Sequence, residues 1–598
     1  MSRPFCVWHG LGGGGTIDLS RSELGLKNIH PFHGVGFIRI PHDNCSCWSQ
    51  KCISIIGYFV VYIRIKLDEA IRYFQEYYIV IVACILLSIG TFHVIKESFD
   101  LHDLFVLPSL LTASVLTLIL TGDQTKSPRK LNFPHLLLPF IILTLLGYYK
   151  AMMGDIDLTA VMFHLQVGMG HLSPDLVGPF VTGGIKFALG ILAFLIGSLI
   201  LLYQSTAYKK AEFLLAMVFY AFLLGAFVSQ RVNLFQQQVA DFAAEYQVPS
   251  PIPQTGSGKM NFIHIYLESA ERTYMRSELF GDVMDPLKPL IDRGFEATNL
   301  VQVRDTGWTI AGMTASHCGV PLSPAGFSYA NKFWRLSGFL PSAVCLGDVL
   351  PNEGYDLTFL AGVDLVFSGL SNFYNMHGFQ QVMGAEYFLQ KLEGTDNLER
   401  HKNAWGVSDE LVFDKALEIL QQNVQAGQRF GLTIETIGGH SPIGLVSPKC
   451  ESMERIMQAR VTMLKAVKCT NWLLADFISK SQKLGLLEDT VIIVQSDHFA
   501  MKNSVYSELQ SSERRNLFFV FGPGIEPGKT DKLGSLMDVY PTVLEAIGLP
   551  LKNSRAGLGV SLLSEETTLV ETLGEDAMNE SIALNYELRE RLWSYPSN

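Results

Sequence analysis

Apolar residues follow two regimes along this chain. Between 78 and 230 they form long stretches, whereas beyond 260 they shrink to short runs separated by helical segments. Short runs rich in Ile, Val and Tyr read as buried parallel strands of an α/β sheet. Three of them stand out. Phe262-Ile-His-Ile-Tyr-Leu runs into Glu268, Gly431-Leu-Thr-Ile-Glu-Thr-Ile runs towards His440, and Val491-Ile-Ile-Val-Gln-Ser runs into Asp497-His498. Ligands of open α/β sheets sit outside the carboxyl ends of the strands, so these three ends predict one shared site.

The longer stretches predict an α-helical membrane domain. Five of them, near 78–95, 104–121, 133–149, 185–203 and 213–229, approach the length that crosses a hydrocarbon core of ~30 Å. The third carries His135 and Pro139, which also suits a re-entrant segment. Lys126, Arg129 and Lys130 lie between the second and third stretches, Lys209 and Lys210 between the fourth and fifth, and Arg64, Lys66 and Arg72 before the first. Basic loops stay on the cytoplasmic side, so everything after Arg231 is expected outside.

The organisation that follows is an unassigned or cytoplasmic segment over 1–77, a transmembrane domain over 78–230, and an amphipathic helix with a Pro, Gly and Ser linker over 231–259. An α/β/α domain with a mostly parallel central sheet then occupies 260–563, and a peripheral helix lies within 564–598. The chain has 598 residues, 48% of them hydrophobic, and a formal charge of −11. Length requires more than one core, and the acidic balance without a basic block argues against nucleic acid as a partner. Of nine cysteines, only Cys318, Cys345, Cys450 and Cys469 fall in the exported half. An even number there suits disulfides, and the sequence-local pairs Cys318 with Cys345 and Cys450 with Cys469 are favoured among three connectivities.

Glu268 and Asp497-His498 are hard oxygen and imidazole ligands at strand ends, which suits manganese, magnesium or zinc. Phosphoryl or sulfuryl transfer at such a site also needs a nucleophile at a helix start, where unpaired N–H groups stabilise anionic charge. Asp305-Thr-Gly-Trp-Thr-Ile-Ala-Gly-Met-Thr supplies Thr306, Thr309 and Thr314, which spacing alone does not separate. His440 suits binding a phosphate or protonating a leaving oxygen. His264 and His317 read as structural. Gly522-Pro-Gly-Ile-Glu-Pro-Gly-Lys-Thr imitates a nucleotide-binding loop, but Pro523 stands where that loop needs glycine.

Several longer strings carry a resemblance. Tyr266-Leu-Glu-Ser-Ala-Glu-Arg-Thr-Tyr, Trp308-Thr-Ile-Ala-Gly-Met-Thr-Ala-Ser-His-Cys-Gly, Cys345-Leu-Gly-Asp-Val-Leu-Pro-Asn-Glu-Gly-Tyr and Ser496-Asp-His-Phe-Ala-Met-Lys-Asn are the main ones. Over about 260 to 563 the chain resembles the membrane-anchored, sulfatase-like transferases of the alkaline phosphatase superfamily. The likeness is greatest to those that decorate periplasmic glucans, and lipoteichoic acid synthases are more distant. The resemblance implies that Glu268, Thr309, Asp497 and His498 bind one divalent metal, manganese before magnesium or zinc, with Thr309 as nucleophile. It places His440 at the substrate phosphate and Trp405, in Trp405-Gly-Val-Ser-Asp, near the glycerol-phosphate pocket.

The implied reaction transfers phosphoglycerol from phosphatidylglycerol to a glucan acceptor and releases diacylglycerol. The implied location is the inner membrane with the catalytic domain facing the periplasm. A phosphoethanolamine transferase or a glycerolphosphate polymerase is the alternative. A true sulfatase is disfavoured, since its modified Cys or Ser lies in a Cys/Ser-x-Pro-x-Arg setting, whereas Ile-Ala-Gly-Met follows Thr309. The first 77 residues lie outside the resemblance, and a C-terminal tail shorter than the family's would bear on the acceptor rather than on the chemistry.

Overall fold

The computed structural model describes residues 240–252, 258–324 and 338–595. The expected segments 1–77 and 78–230, with all five candidate spans, lie outside the described residues. Among those described, no helix is long and apolar enough to cross a membrane.

The domain is organised by an eight-stranded sheet. Its strands are β1 (Asn261–Leu267), β2 (Phe295–Ala297), β4 (Asp356–Ala361), β5 (Gln381–Met383), β6 (Phe430–Glu435), β7 (Thr490–Ser496), β8 (Phe518–Phe521) and β9 (Gly528–Thr530). The two-residue β3 (Leu300–Val301) pairs separately with β10 (Gly534–Ser535). The order across the sheet is β5-β4-β6-β1-β7-β8-β2-β9. All neighbours are parallel except those of β8, which runs against both β7 and β2. The sheet is therefore mostly parallel, as the strand-like runs predict.

Alternation along the strands builds a core on each face. Phe262 and Tyr266 of β1 and Val491 and Ile493 of β7 join one apolar cluster, with Ile310 and Met313 of helix α1 (Thr309–Cys318). Ile263, Ile265 and Leu267 join the other, with Val412 and Phe413 of α2 (Asp409–Ala426) and Leu464 and Val467 of α3 (Thr462–Lys483). Helix α4 (Val539–Ala546) packs on the α1 face through Val539, Val543 and Leu544. The layers are thus helix, sheet and helix.

Two expectations change in detail. The apolar run ending at Ile437 stops being a strand at Glu435. The reason is local: the Ile437 and Gly438 amides donate to the Asp409 carboxylate, at 2.8 and 3.0 Å, instead of to a neighbouring strand. The peripheral helix expected within 564–598 is interrupted, with α5 (Glu575–Leu584) followed by α6 (Tyr586–Trp593). They break at Asn585, whose ψ of 69° is non-helical and whose side-chain Nδ2 donates to the Ala240 carbonyl at 2.9 Å. Of the amphipathic helix expected after the last span, the described part is one turn, Phe242–Glu245, capped by Asp241.

The favoured cysteine pairs are the ones formed, Cys318 with Cys345 and Cys450 with Cys469. With sequence separations of 27 and 19, loop closure alone gives each about 3 to 4 kcal/mol of stabilisation.

His264 lies in β1 and is fully buried between the sheet and α1. Its Nε2 pairs with Gln495 Oε1 at 3.0 Å, and burial pushes its pKa down to about 4. The folded pKa lies below the unfolded one, so the stabilisation is complete above about pH 6.5 and is lost as pH falls through 4. The shift corresponds to on the order of 3 kcal/mol over that window. His264→Gln keeps a polar partner for Gln495 without titrating, so its melting temperature is expected to fall less between pH 7 and pH 5 than the wild type's. Equal falls in the two proteins would remove His264 as a source of acid sensitivity.

Candidate active site

The register of the central strands determines what meets at their carboxyl ends. In the β6-β1-β7 triplet, Tyr266 lies opposite Glu435 and Leu267 opposite Ser496. Glu268 and Asp497 therefore leave adjacent strands side by side. Glu268, Asp497 and His498 are all buried, and each offers a ligand atom within 4.8 Å of the others.

Local hydrogen bonds orient each of these groups. The Ser269 amide donates to Asp497 Oδ1 at 2.8 Å and its hydroxyl to Glu268 Oε1 at 2.7 Å. Ser269 takes a left-handed φ of 56° to do both, a strained conformation for a residue with a Cβ. The His498 amide also donates to Asp497 Oδ1, at 2.9 Å. His498 Nδ1 donates to the Phe499 carbonyl at 2.7 Å, which leaves the lone pair on Nε2. That lone pair stands 3.2 Å from Asp497 Oδ2 and 3.6 Å from Glu268 Oε1.

Asp497 Oδ2 and His498 Nε2 are buried and have no hydrogen-bond partner. Acceptor atoms left facing one another away from water are costly unless a proton or a cation lies between them. Burial, with the Asp497 charge adding to it, pushes the Glu268 carboxyl well above the usual carboxylate range. Oxygen and imidazole ligands converging on one point fit a divalent cation, which would satisfy the orphaned atoms and relieve the repulsion.

The structure separates the three threonines. The Thr306 hydroxyl donates to the Val303 carbonyl at 2.7 Å, and Thr314 lies further along α1. Thr309 is the first residue of α1, and its Oγ1 is 3.4 Å from Glu268 Oε2. No side chain caps this helix start, so its first-turn amides and dipole remain available to an anion. Gly312, one turn on, sets the distance of the helix from the site. A Cβ there would collide with the Asp497 carbonyl oxygen. Gly312→Ala is therefore expected to push α1 off the ligands and to lower turnover by about 100-fold with the protein still folded. Retained turnover would mean that the helix has room to retreat elsewhere.

His440 and Trp405 come together beside this cluster, their rings 3.8 Å apart between centroids. Each is at the tip of a closed loop. Asn403 Oδ1 accepts from the Trp405 and Gly406 amides, both at 2.9 Å, while Leu445 donates to the Gly438 carbonyl at 2.8 Å across the neck of the His440 loop. Gly439 lies against the Glu268 carbonyl, where a Cβ would collide. His440 Nδ1 donates to the Ser441 carbonyl at 2.7 Å, and burial, helped by His498, pushes the ring down to about 4. It is therefore neutral at pH 7, with its lone pair on Nε2.

Residues 260–549 match the sulfatase family model. This part of the chain is similar to that family. It contains Glu268, Thr309, Trp405, His440, Asp497 and His498. Phosphoglycerol transferase I of Shigella flexneri and that of Escherichia coli are each 35% identical to this chain over 359 residues. Each match covers 60% of this chain and 45% of the relative, so the chain spans less than half the length of the curated relatives it matches. Among solved structures, the lipoteichoic acid synthase LtaP from Listeria monocytogenes aligns over 58% of this chain and 80% of its own, at 19% identity and a TM-score of 0.39.

Sequence reasoning missed three side chains that shape this site. Glu435 ends β6, is buried, and has an Oε2 without a hydrogen-bond partner. Burial and then the Asp497 charge push its carboxyl well up. A carboxylate inside an otherwise apolar run was the available signal. Asp409 begins α2 and holds the His440 loop through the Ile437 and Gly438 amides, with the Thr470 hydroxyl donating to it at 2.7 Å. Glu271, buried in the loop after β1, accepts two bonds from Arg514 Nε, at 3.1 and 3.0 Å, and one from the Ala500 amide. That ion pair ties the loop carrying Glu268 to the loop carrying Asp497 and His498.

Proposed function

We propose that this chain is a metal-dependent transferase that takes the phosphoglycerol head group of phosphatidylglycerol, holds it on Thr309 and passes it to a hydroxyl of a periplasmic glucan. The observation that carries this reading is the Thr309 hydroxyl at an uncapped helix start, 3.4 Å from Glu268 in a buried cluster of ligand atoms. The 35% identity to phosphoglycerol transferase I supports the choice of head group. The apolar stretches within 78–230 would anchor the protein in the inner membrane, with the catalytic domain facing the periplasm. An anchor suits a reaction whose donor and first product are both lipids.

Glu268, Asp497 and His498, with the Thr309 hydroxyl, would hold one divalent cation, manganese before magnesium or zinc. When bound, it lowers the pKa of the hydroxyl and polarises the phosphoryl group. Thr309 Oγ forms a bond to phosphorus as the bond to the diacylglycerol oxygen breaks, and the departing alcohol takes up a proton. The first-turn amides of α1 face the phosphoryl charge. In the second step an acceptor hydroxyl attacks phosphorus and Thr309 leaves. His440, neutral and with its lone pair on Nε2, is suited to accept the acceptor's proton, and Trp405 keeps its ring in place.

Incubating the purified chain in detergent with manganese and head-group-labelled phosphatidylglycerol, with and without glucan, tests this. The expected result is metal-dependent diacylglycerol release with label moving to glucan. Consumption of phosphatidylethanolamine in place of phosphatidylglycerol would assign the chain to phosphoethanolamine transfer.

A further inference from the structure

A cavity of about 180 Å³ lies at the carboxyl edge of the sheet, beside the metal-type cluster but separate from it. It is framed by the necks of two loops. Lys402 bridges Val407 across one neck, and Leu445 donates to the Gly438 carbonyl across the other. Arg400, Lys402 and Asn403 line one side, and Gly438, Gly444 and Leu445 the other. The tips of these loops carry Trp405 and His440, whose rings pack in a tilted arrangement at 38°. Gly438 is in the cavity wall and the next residue, Gly439, packs on the Glu268 carbonyl. One residue thus separates the cavity wall from the backbone of Glu268.

Its lining offers unused hydrogen-bonding groups of both kinds. Among the described residues, Arg400 and Lys402 make no ion pair or hydrogen bond through their side chains, and the Asn403 Nδ2 donor is also unused. His401, about nine-tenths buried, has Nδ1 committed to Ser408 at 2.9 Å and lies 3.2 Å from Glu410, which leaves Nε2 for an occupant. Glu451 adds a carboxylate to the wall. A hydroxyl both donates and accepts, so a hydroxyl-rich ligand can use this mixture where a purely apolar one cannot. The volume, at ~30 Å³ per water, is that of roughly six waters, room for a small polyol or part of a sugar ring.

We infer that this cavity is the acceptor subsite: it takes a saccharide or polyol and presents one of its hydroxyls towards His440 and Thr309. The inference rests on the proposed transfer reaction. It also gives the packed loop tips a second role, because an occupant bearing on both necks sets how Trp405 and His440 meet.

The test separates donor cleavage from acceptor use. The full chain in detergent is assayed for diacylglycerol release without acceptor, and for transfer to a β-glucan oligosaccharide and, separately, to glycerol. The variant is Arg400→Ala with Lys402→Ala, both exposed, so the fold should persist. The expected result is an acceptor KM raised about tenfold, with acceptor-free release unchanged. An unchanged KM overturns the subsite, and so does a parallel loss of donor cleavage, which would assign the pair to the donor. A KM effect with glycerol alone keeps the subsite and makes its ligand a polyol. If the donor is not cleaved at all, the proposed reaction fails and binding of labelled oligosaccharide decides: weaker binding by the variant retains a saccharide site, and equal binding removes it.

Discussion

Replacing Thr309 with alanine is expected to abolish turnover, lowering the rate by on the order of 10⁴-fold or more, because no other hydroxyl can take its position. Thr306 is committed to the Val303 carbonyl, and Ser269, although beside Glu268, donates its hydroxyl to that carboxylate. The loss should be catalytic rather than structural. Thr309 is the first residue of α1 and makes one long contact, so removing its hydroxyl leaves the helix, its packing and the ligand carboxylates intact. Two measurements check this together: diacylglycerol release, and the melting temperature with and without manganese. Thr309→Ala should lose the first and keep most of the second. Phosphatidylglycerol cleavage by Thr309→Ala at an appreciable rate would show that water or another residue attacks phosphorus directly.

The second large effect concerns the metal and has an unusual sign. Glu268, Glu435 and Asp497 are three carboxylic groups buried within one layer, and the neighbouring Asp497 charge raises the pKa of the first two. Without a cation this arrangement destabilises the fold. Asp497→Asn removes one of the mutually repelling charges and keeps Oδ1 as acceptor for the Ser269 and His498 amides. The metal-free variant should therefore be at least as stable as the metal-free wild type. The wild type should gain about 2.7 kcal/mol when manganese is present at a hundredfold excess over its dissociation constant, and the variant should gain little. Thermal unfolding in chelator and in manganese reads both. A variant that is less stable in chelator, yet stabilised by manganese as much as the wild type, would sink the assignment of Asp497 as a ligand.

The parts of this site that were legible in the sequence share a property. Glu268 and Asp497-His498 follow short, mainly apolar runs, and the carboxyl ends of central strands in a parallel sheet are where such runs deliver chemically active residues. The paired cysteines were legible because short separations favour local bridges. Thr309 was not separable from Thr306 and Thr314 by spacing, and only the resemblance singled it out. The structure distinguishes them by what each hydroxyl touches, which spacing does not encode. Ser269 and Asp409 were illegible for a related reason: they act by capturing backbone amides on other loops, and such contacts leave no period in the sequence. Glu435 was hidden inside an apolar run read as pointing to His440. The break at Asn585 depends on a partner, Ala240, that is 345 residues away.

The bridge between Cys318 and Cys345 has a consequence for how the helix beginning at Thr309 is held. Cys318 is the last residue of the ten-residue helix that starts at Thr309, so the covalent link holds the far end of the element that carries Thr309. A newly made chain in a reducing compartment has its strands and its ligand residues but not that anchor. Pairing of the two thiols then fixes the end of α1 opposite Thr309 and ties the seating of that helix to the redox state of the bridge.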